Sequence, residues 1–502
     1  MPGRIAFDMS FNDSRITTGK RRGEPMRILL MGNFSGGTST RSSTLASRKI
    51  YSVDVDNFDE LISRFSPHLS LQIGDQAGSQ IELDFNELDD FHPDALFKRL
   101  NLFRNLRELR NKLLSQNTFP QAAALLQGEI TTPDTDTYPT DNNETDENMF
   151  ERLLGKKSVQ ADMQHTAGET GAEQLIRAIV QPHIVPSADP LQQMYVDSVD
   201  KAISTEMRHL LHNPEFQALE AVWRSLYRLV TSLETSEGLE LYLLDVTKQE
   251  LMVDIKEARN TLHESEIYQV LIDQSIETPG GKPWSAIACD FNFGLSEEEL
   301  SVLATLGSMA AEVGGPFLAS ASYEILGCTS LTEVSRLQAW RPLDAEKEER
   351  WQTLRMSSEA SWIGLVLPRI LLRLPYGPNR DEIDSFEFEE IPVSPGDHEH
   401  FLWGSSAYAC AMLLAIAFMK NGDSMQPGDM LDLEDLPAFV FEVDQEQKLI
   451  PCAETWLSEA TGDAILNRGI MPFLSYKNRN SARLLQFRSI ASPPKTLNGF
   501  WS

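Results

Sequence analysis

Four groups of residues in this chain have the types and spacing to do chemistry. Arg369 and Arg373 lie one helical turn apart in the apolar run WIGLVLPRILLRLPYGP, residues 362–378, where two guanidiniums would clamp an oxyanion or a phosphate. His398 and His400 fall on the same side of an extended segment, as a metal pair would. Asp89, Asp90 and Asp94 cluster as metal ligands or paired carboxylates do. The turn GNFSGG, residues 32–37, has the glycine content of a phosphate cradle.

Each group also has a plainer reading. No nucleophile or base lies near the arginine pair, and FEFEE at 386–390 offers carboxylates for structural ion pairs with Arg369 and Arg373. The histidines lack a third ligand at set spacing. The three aspartates stand where carboxylates cap helices and offset the helix dipole. The glycine turn is not followed by the GK[ST] that a P-loop requires, and no G-x-S-x-G elbow or metal triad occurs elsewhere. The expectation is a protein that is not an enzyme and holds no metal or cofactor.

The elements that position these residues are organised around residues 213–246. Asn213 can cap a helix, Pro214 suits its first position, and Glu215 suits the positive end of its dipole. Phe216, Leu219, Trp223, Leu226 and Val230 then recur at three- and four-residue steps, which predicts one apolar stripe with Trp223 at its centre. After Gly238 the period changes to two, with Leu239, Leu241 and Leu243 alternating against Glu240 and Tyr242, so a strand follows the helix.

Before that stretch, RIAFDMSF at 4–11 alternates Ile5, Phe7, Met9 and Phe11 and reads as an N-terminal strand in need of a partner. MRILLM at 26–31 reads as a strand buried on both faces. Strands are predicted at 53–55 and 80–85, a helix capped by Asp56 or Asn57, and an amphipathic helix running through Leu114. Residues 128–148 are Thr, Asp, Asn and Pro with almost no apolar side chain, a solvated linker. A brief amphipathic helix with Phe150, Leu153 and Leu154 follows, then helices at 172–180 and 192–211.

Beyond residue 246, Thr247 with Glu250 and Ser296 with Glu299 box two further helices, Gly314 stops the second, and the strands at 284–292 and 316–321 flank it. Residues 407–419 are apolar all round, a buried helix too short to span a bilayer; 436–443 is a strand. The fold class is therefore α/β (mixed α+β), with mixed sheets flanked by helices.

At 502 residues the chain has length for two to four domains. Its 44 Lys and Arg against 74 Asp and Glu leave a net charge of −30, which argues against nucleic acid or an anionic membrane as partner and for a basic protein surface. Four cysteines, Cys289, Cys328, Cys410 and Cys452, are scattered without CxxC and read as buried thiols of a reducing compartment. With no signal-peptide core, a cytoplasmic location is expected.

Several motifs resemble one family. Residues 212–226, HNPEFQALEAVWRSL, together with CDFNFG, GPFLASAS, the run at 362–378, HEHFLWG and IMPFLSYKN, resemble the large subunit of the type VI secretion contractile sheath (TssC, or VipB). RILLMGNFSG, VDVDNFDELISRFSPHL and ELDDFHPDALFKRL with its LRELRNKL helix resemble the small subunit (TssB, or VipA). The resemblance implies a small-subunit-like region at 1–127, a linker at 128–148, a helical region at 149–211 and a large-subunit-like body at 212–502, without the family's further C-terminal domain.

It implies a structural protein whose partners are other sheath subunits, the inner-tube protein, baseplate components and a ClpV-type unfoldase. Ile5, Phe7, Met9 and Phe11 would be donated to a neighbour as an exchanged strand; Phe150, Leu153 and Leu154 would meet the unfoldase. The alternative role within the family is an accessory protein that caps, initiates or regulates a sheath.

Overall fold

The computed structural model describes residues 20–37, 44–72, 80–115, 117–127, 192–235, 238–258, 261–378, 380–392, 398–443 and 446–502. The strands are β1 (Met26–Gly32), β2 (Tyr51–Val53), β3 (His68–Gln72), β4 (Gln80–Asp84), β5 (Leu239–Asp245), β6 (Ala286–Phe293), β7 (Phe317–Ala321), β8 (Ile363–Leu367), β9 (Ile370–Leu371), β10 (Trp403–Gly404), β11 (Asp432–Leu433), β12 (Val440–Val443), β13 (Glu446–Leu449), β14 (Ile470–Ser475) and β15 (Ala482–Leu484). Nine of them form one mixed sheet in the order β11-β15-β14-β8-β7-β6-β1-β5-β2. The six from β14 to β5 run parallel; β2 and the β15-β11 edge are antiparallel.

The centre of this sheet is β1, parallel to β5 on one side (Met26 opposite Leu239, Gly32 opposite Asp245) and to β6 on the other (Ile28 opposite Ala286). Its apolar run is what such a position requires, since both faces are covered. Successive side chains alternate: Ile28 and Leu30 enter the layer that holds the Pro214–Ser232 and Ser406–Asn421 helices. Leu29 and Met31 enter the opposite layer, with residues of the Lys248–Glu257, Glu297–Val313 and Ala345–Met356 helices. Arg27, the one charged residue in the strand, keeps its guanidinium over the rings of Tyr242 and Trp284, 4.5 and 4.2 Å from their centroids. The regions on either side of residues 128–148 thus share one sheet.

The Pro214–Ser232 helix begins as its sequence predicts, with the Asn213 side chain accepting from the amides of Glu215 and Phe216 at 2.9 and 3.3 Å. Its stripe of Phe216, Leu219, Trp223, Leu226 and Val230 is buried. Trp223 is enclosed by Phe34, Phe58 and Phe65, all edge-on with centroids 5.4 to 5.9 Å away, and its Nε1 donates to the Phe34 carbonyl at 2.9 Å. One indole therefore ties the helix to three residues from the first part of the chain.

The Thr247–Glu250 capping box and the left-handed stop at Gly314 are present, whereas Ser296 caps its helix by accepting from the Glu299 amide and gives its own hydroxyl, not its amide, to the Glu299 carboxylate. Other predictions are corrected. The helix toward Leu114 is broken at Leu100, whose extended backbone separates Pro93–Arg99 from Asn101–Leu114. Asn57 occupies an N-cap position, but its side chain turns back to accept from the Asp54 amide. The strand expected over 436–443 begins only at Val440.

The run at 362–378 is not helical: β8 ends at Leu367, Pro368 interrupts the ladder, and β9 follows. The helix containing 407–419 is largely buried, and among the described residues no helix is long and apolar enough to cross a membrane. All four cysteines are buried and unpaired. The residues predicted as an N-terminal strand (Ile5, Phe7, Met9, Phe11), the linker, Phe150, Leu153 and Leu154, and the helix at 172–180 lie outside the described residues.

Trp223→Ala should lower the midpoint of thermal unfolding by the equivalent of about 3–5 kcal/mol, the range for a buried aromatic cut to alanine. Trp223→Phe should lose less, keeping the ring while giving up the bond to Phe34. Equal midpoints for all three proteins in scanning calorimetry would show that this indole does not join the two parts of the chain.

Candidate functional site

Pro368 and the two-residue β9 turn Arg369 and Arg373 toward different partners, so they form no joint clamp. Arg373 is buried and spans two carboxylates. Its Nε donates to Glu220 Oε1 at 2.8 Å and its Nη2 to Glu220 Oε2 at 3.3 Å. Nη1 and Nη2 donate to Glu390 at 2.7 and 3.1 Å. Glu220, on the Pro214–Ser232 helix, also accepts from Arg224 Nε at 2.6 Å, while Arg224 Nη2 donates to the Tyr376 hydroxyl at 3.0 Å. The Tyr376 amide donates to Glu390 at 2.8 Å, which completes a cluster of two carboxylates and two guanidiniums.

Burial pushes the Glu220 carboxyl up, but Arg373 and Arg224 outweigh it and hold the group below the usual carboxylate range. Burial alone would lower Arg373; Glu220 and Glu390 reverse that and raise it well above the ordinary arginine value. With every charge partnered, this cluster is a structural clasp between the helix and the 370–391 segment. Of the predicted FEFEE carboxylates, Glu390 serves Arg373 and Glu389 serves Arg380 at 3.2 Å. Arg369 instead pairs bidentately with Glu454, its Nε 3.0 Å from Oε2.

The other candidate chemistries dissolve into local structure. Phe34 N, Ser35 N and Ser35 Oγ, in the glycine turn, all donate to the Asp245 carboxylate, at 2.8, 3.2 and 2.8 Å. The place a phosphate would take is filled from within. Asp90 accepts from the amides of Asn86 and Glu87 at 2.7 and 3.3 Å and pairs with Arg99. Asp94 accepts from the amides of Asp384 and Ser385 at 3.1 and 3.0 Å, and Asp89 is exposed.

His398–His400 is a short 3-10 turn and not an extended segment. His400 stacks on His212 with centroids 4.0 Å apart, and His398 Nε2 lies 3.9 Å from Glu454. Burial first, then the neighbouring His400 and Arg373 charges, push His212 down to about 3, so it stays neutral. Among the described residues no group of three or more His, Cys, Asp or Glu is placed to hold a metal.

A cleft of about 380 Å³ lies at the carboxyl ends of β6, β7 and β8, walled by Ala218 and Ala221 and by Ser405 and Ser406 at the start of the Ser406–Asn421 helix. Asp290 faces it from β6, where the β6–β7 register shifts between Ala288 and Asn292. Burial pushes its carboxyl up to about 7, against the opposing pulls of Arg369 and a hydrogen bond from Ser405. Sequence reasoning passed over Asp290. Its signal was a single carboxylate inside the apolar run AIACDFNF. Glu220 and Glu454 were missed as well, because their arginine partners are 153 and 85 positions away.

Residues 193–491 match the family model described as EvpB/VC_A0108, tail sheath N-terminal domain. The chain belongs to this family. Residues 5–130 match a second model, described as type VI secretion system, VipA, VC_A0107 or Hcp2. The type VI secretion system sheath protein TssC1 of Pseudomonas aeruginosa strain PAO1 is 27% identical over 379 residues, 74% of this chain and 73% of that protein. TssB1 of the same strain is 24% identical over 99 residues, 19% of this chain and 58% of that protein. The polypeptide is a type VI secretion sheath protein that joins a small-subunit-like and a large-subunit-like region, and its role is structural. Glu220, Arg373 and Asp290 all fall in the first match, whereas β1 and the aromatic cage around Trp223 come from the second.

Two outcomes follow from the charges. Arg373→Met should strand Glu390, leave Glu220 with Arg224 alone and cost about 3–5 kcal/mol, while replacing Glu220, Arg224, Arg373 and Glu390 together by apolar residues should recover much of that loss. Asp290→Asn should act in the opposite sense. A carboxyl held near 7 in the fold but near 4 when unfolded loses stability as pH rises through that window. The Asn variant should therefore melt at or above the parent at pH 8, by a few kcal/mol at most from about 1.4 kcal/mol per pH unit. The difference should vanish near pH 4; a lower midpoint at pH 8 would contradict the assignment.

Proposed function

We propose that this chain polymerises with further sheath subunits into a helical array around a tube of the inner-tube protein and drives that tube forward by switching between two packings. The observation that carries the proposal is the placement of β1 between β5 and β6, which puts small-subunit-like and large-subunit-like elements in one sheet within one chain. Repeated heterologous contacts between such units build an open filament. A two-packing switch needs no nucleotide hydrolysis by the sheath.

On this reading the chain divides into the small-subunit-like region (1–127), the linker (128–148), the helical region (149–211) and the large-subunit-like body (212–502). Ile5, Phe7, Met9 and Phe11 link one subunit to the next by strand donation. Baseplate components seat the first layer, and a ClpV-type unfoldase engages Phe150, Leu153 and Leu154 when the array is recycled. The assembly is cytoplasmic and carries no catalytic centre of its own. The net charge of −30 supports partners with basic surfaces.

Electron microscopy of the purified chain, alone and mixed with its inner-tube protein, tests this directly. Long tubules with a cogwheel cross-section are expected, and replacing Ile5, Phe7, Met9 and Phe11 by serine should shorten or abolish them. Discrete small particles under both conditions would overturn the proposal.

A further inference from the structure

We propose that the cleft at the carboxyl ends of β6, β7 and β8 is a socket for one basic side chain, Lys or Arg, presented by a partner protein. The argument is a charge count inside a shaped space. Asp290, Arg369 and Glu454 are the charged side chains that line the cleft. Arg369 and Glu454 cancel each other in a bidentate pair. Asp290 remains, held by a hydrogen bond from Ser405 and by the more distant Arg369 charge, so the ionised cleft carries one uncompensated negative charge.

The polar atoms deeper in the cleft are already occupied. Ser320 Oγ and Ser406 Oγ bond to each other at 3.2 Å, and Ser406 Oγ also donates to the Val366 carbonyl at 3.2 Å. What the cleft lacks is a single cation.

Its walls define the rest of the occupant. Ala218, Ala221, Val366 and Leu367 offer apolar surface beside the carboxylate, which suits a side chain with an alkyl stem and a charged tip. Tyr323, 37% exposed, lines the same cleft and adds an aromatic ring of the kind that attracts guanidinium and ammonium groups. At about 380 Å³ the space lies at the small end of the roughly 300–1,000 Å³ of ligand pockets, enough for one side chain. An anion would meet Asp290 and Glu454, and a neutral occupant would leave Asp290 uncompensated. The chain's net charge of −30 draws basic protein surfaces toward it. The β6–β7 register shift between Ala288 and Asn292 brackets Asp290 and breaks the regular ladder where the strand meets the cleft.

The inference draws on the sheath reading only in taking a protein as the source of the cation. Failure to form tubules would leave cation binding to the isolated chain untouched, so the two ideas fail separately. The test is titration of the full chain at pH 8, followed by saturation-transfer NMR, with capped lysine and capped arginine (N-acetyl, N-methylamide), n-butylammonium, butyrate and 1-butanol.

Both capped residues should bind with millimolar affinity, and butyrate and butanol should not. Asp290→Asn, which keeps the side-chain shape, should weaken binding at least tenfold; Ala221→Phe, which fills the cleft while leaving Asp290 in place, should do the same. Equal binding to parent and Asp290→Asn, binding of butyrate, or no binding of any cation would overturn the socket. Binding of n-butylammonium without the capped residues would overturn the partner protein in favour of a free small cation.

Discussion

A guanidinium removed from water must be met from fixed directions by counter-charges, and Arg373 imposes that constraint on much of this molecule. Glu220 meets it from the Pro214–Ser232 helix and Glu390 from the far side of the 370–391 segment, the Leu374 carbonyl accepts from Nη1, and the Tyr376 amide and hydroxyl hold Glu390 and Arg224 in place around it. The helix cannot slide by one residue without breaking two of these bonds at once. The same helix carries Trp223 on its apolar stripe, so fixing its position also fixes the aromatic cage and, through Phe34, the end of β1. A buried ion cluster of this kind adds little net stability against an apolar replacement. What it does here is geometric: it joins the helix to the 370–391 segment through bonds of fixed direction.

The glycine turn after β1 shows the same logic on a smaller scale. Its amides converge as they would on a phosphate, yet the group they hold is Asp245 at the end of β5. The ladder between β1 and β5 thus ends in a carboxylate lock that joins the two matched regions of the chain. Strand, turn and helix each tie residues of 5–130 to residues of 193–491 by a different interaction.

Where local chemistry decides the structure, the sequence was legible. Asn213 and Pro214 start their helix, the box at Thr247 forms, Ser296 caps the helix after it, and MRILLM is a strand covered on both faces. The family resemblance was equally plain, because its motifs are contiguous. Legibility ended where partners are distant. In the 362–378 run, leucines and arginines recur at a spacing that a helix and a buried strand with a turn both satisfy, and packing against β7 and β14 selected the strand. Glu220 looks like an ordinary polar residue on a helix until Arg373 is brought to it. Asp290 is conspicuous only once the cleft beside it exists. Nor does any periodicity say that β1 lies between β5 and β6, since neighbour order in a sheet is a tertiary fact.

That neighbour order has a consequence in time. β1 ends at Gly32, but its two ladder partners end at Asp245 and Phe293. This largely apolar strand therefore emerges from the ribosome long before either edge can be satisfied, in a chain whose central pairings are non-local and slow to close. At about 5–20 residues per second, the synthesis of residues 33–245 leaves roughly 10–40 s in which both edges of β1 are open, and the edge that β6 covers stays open until residue 293 is made. The central strand of this sheet thus waits, during synthesis, on partners encoded far downstream of it.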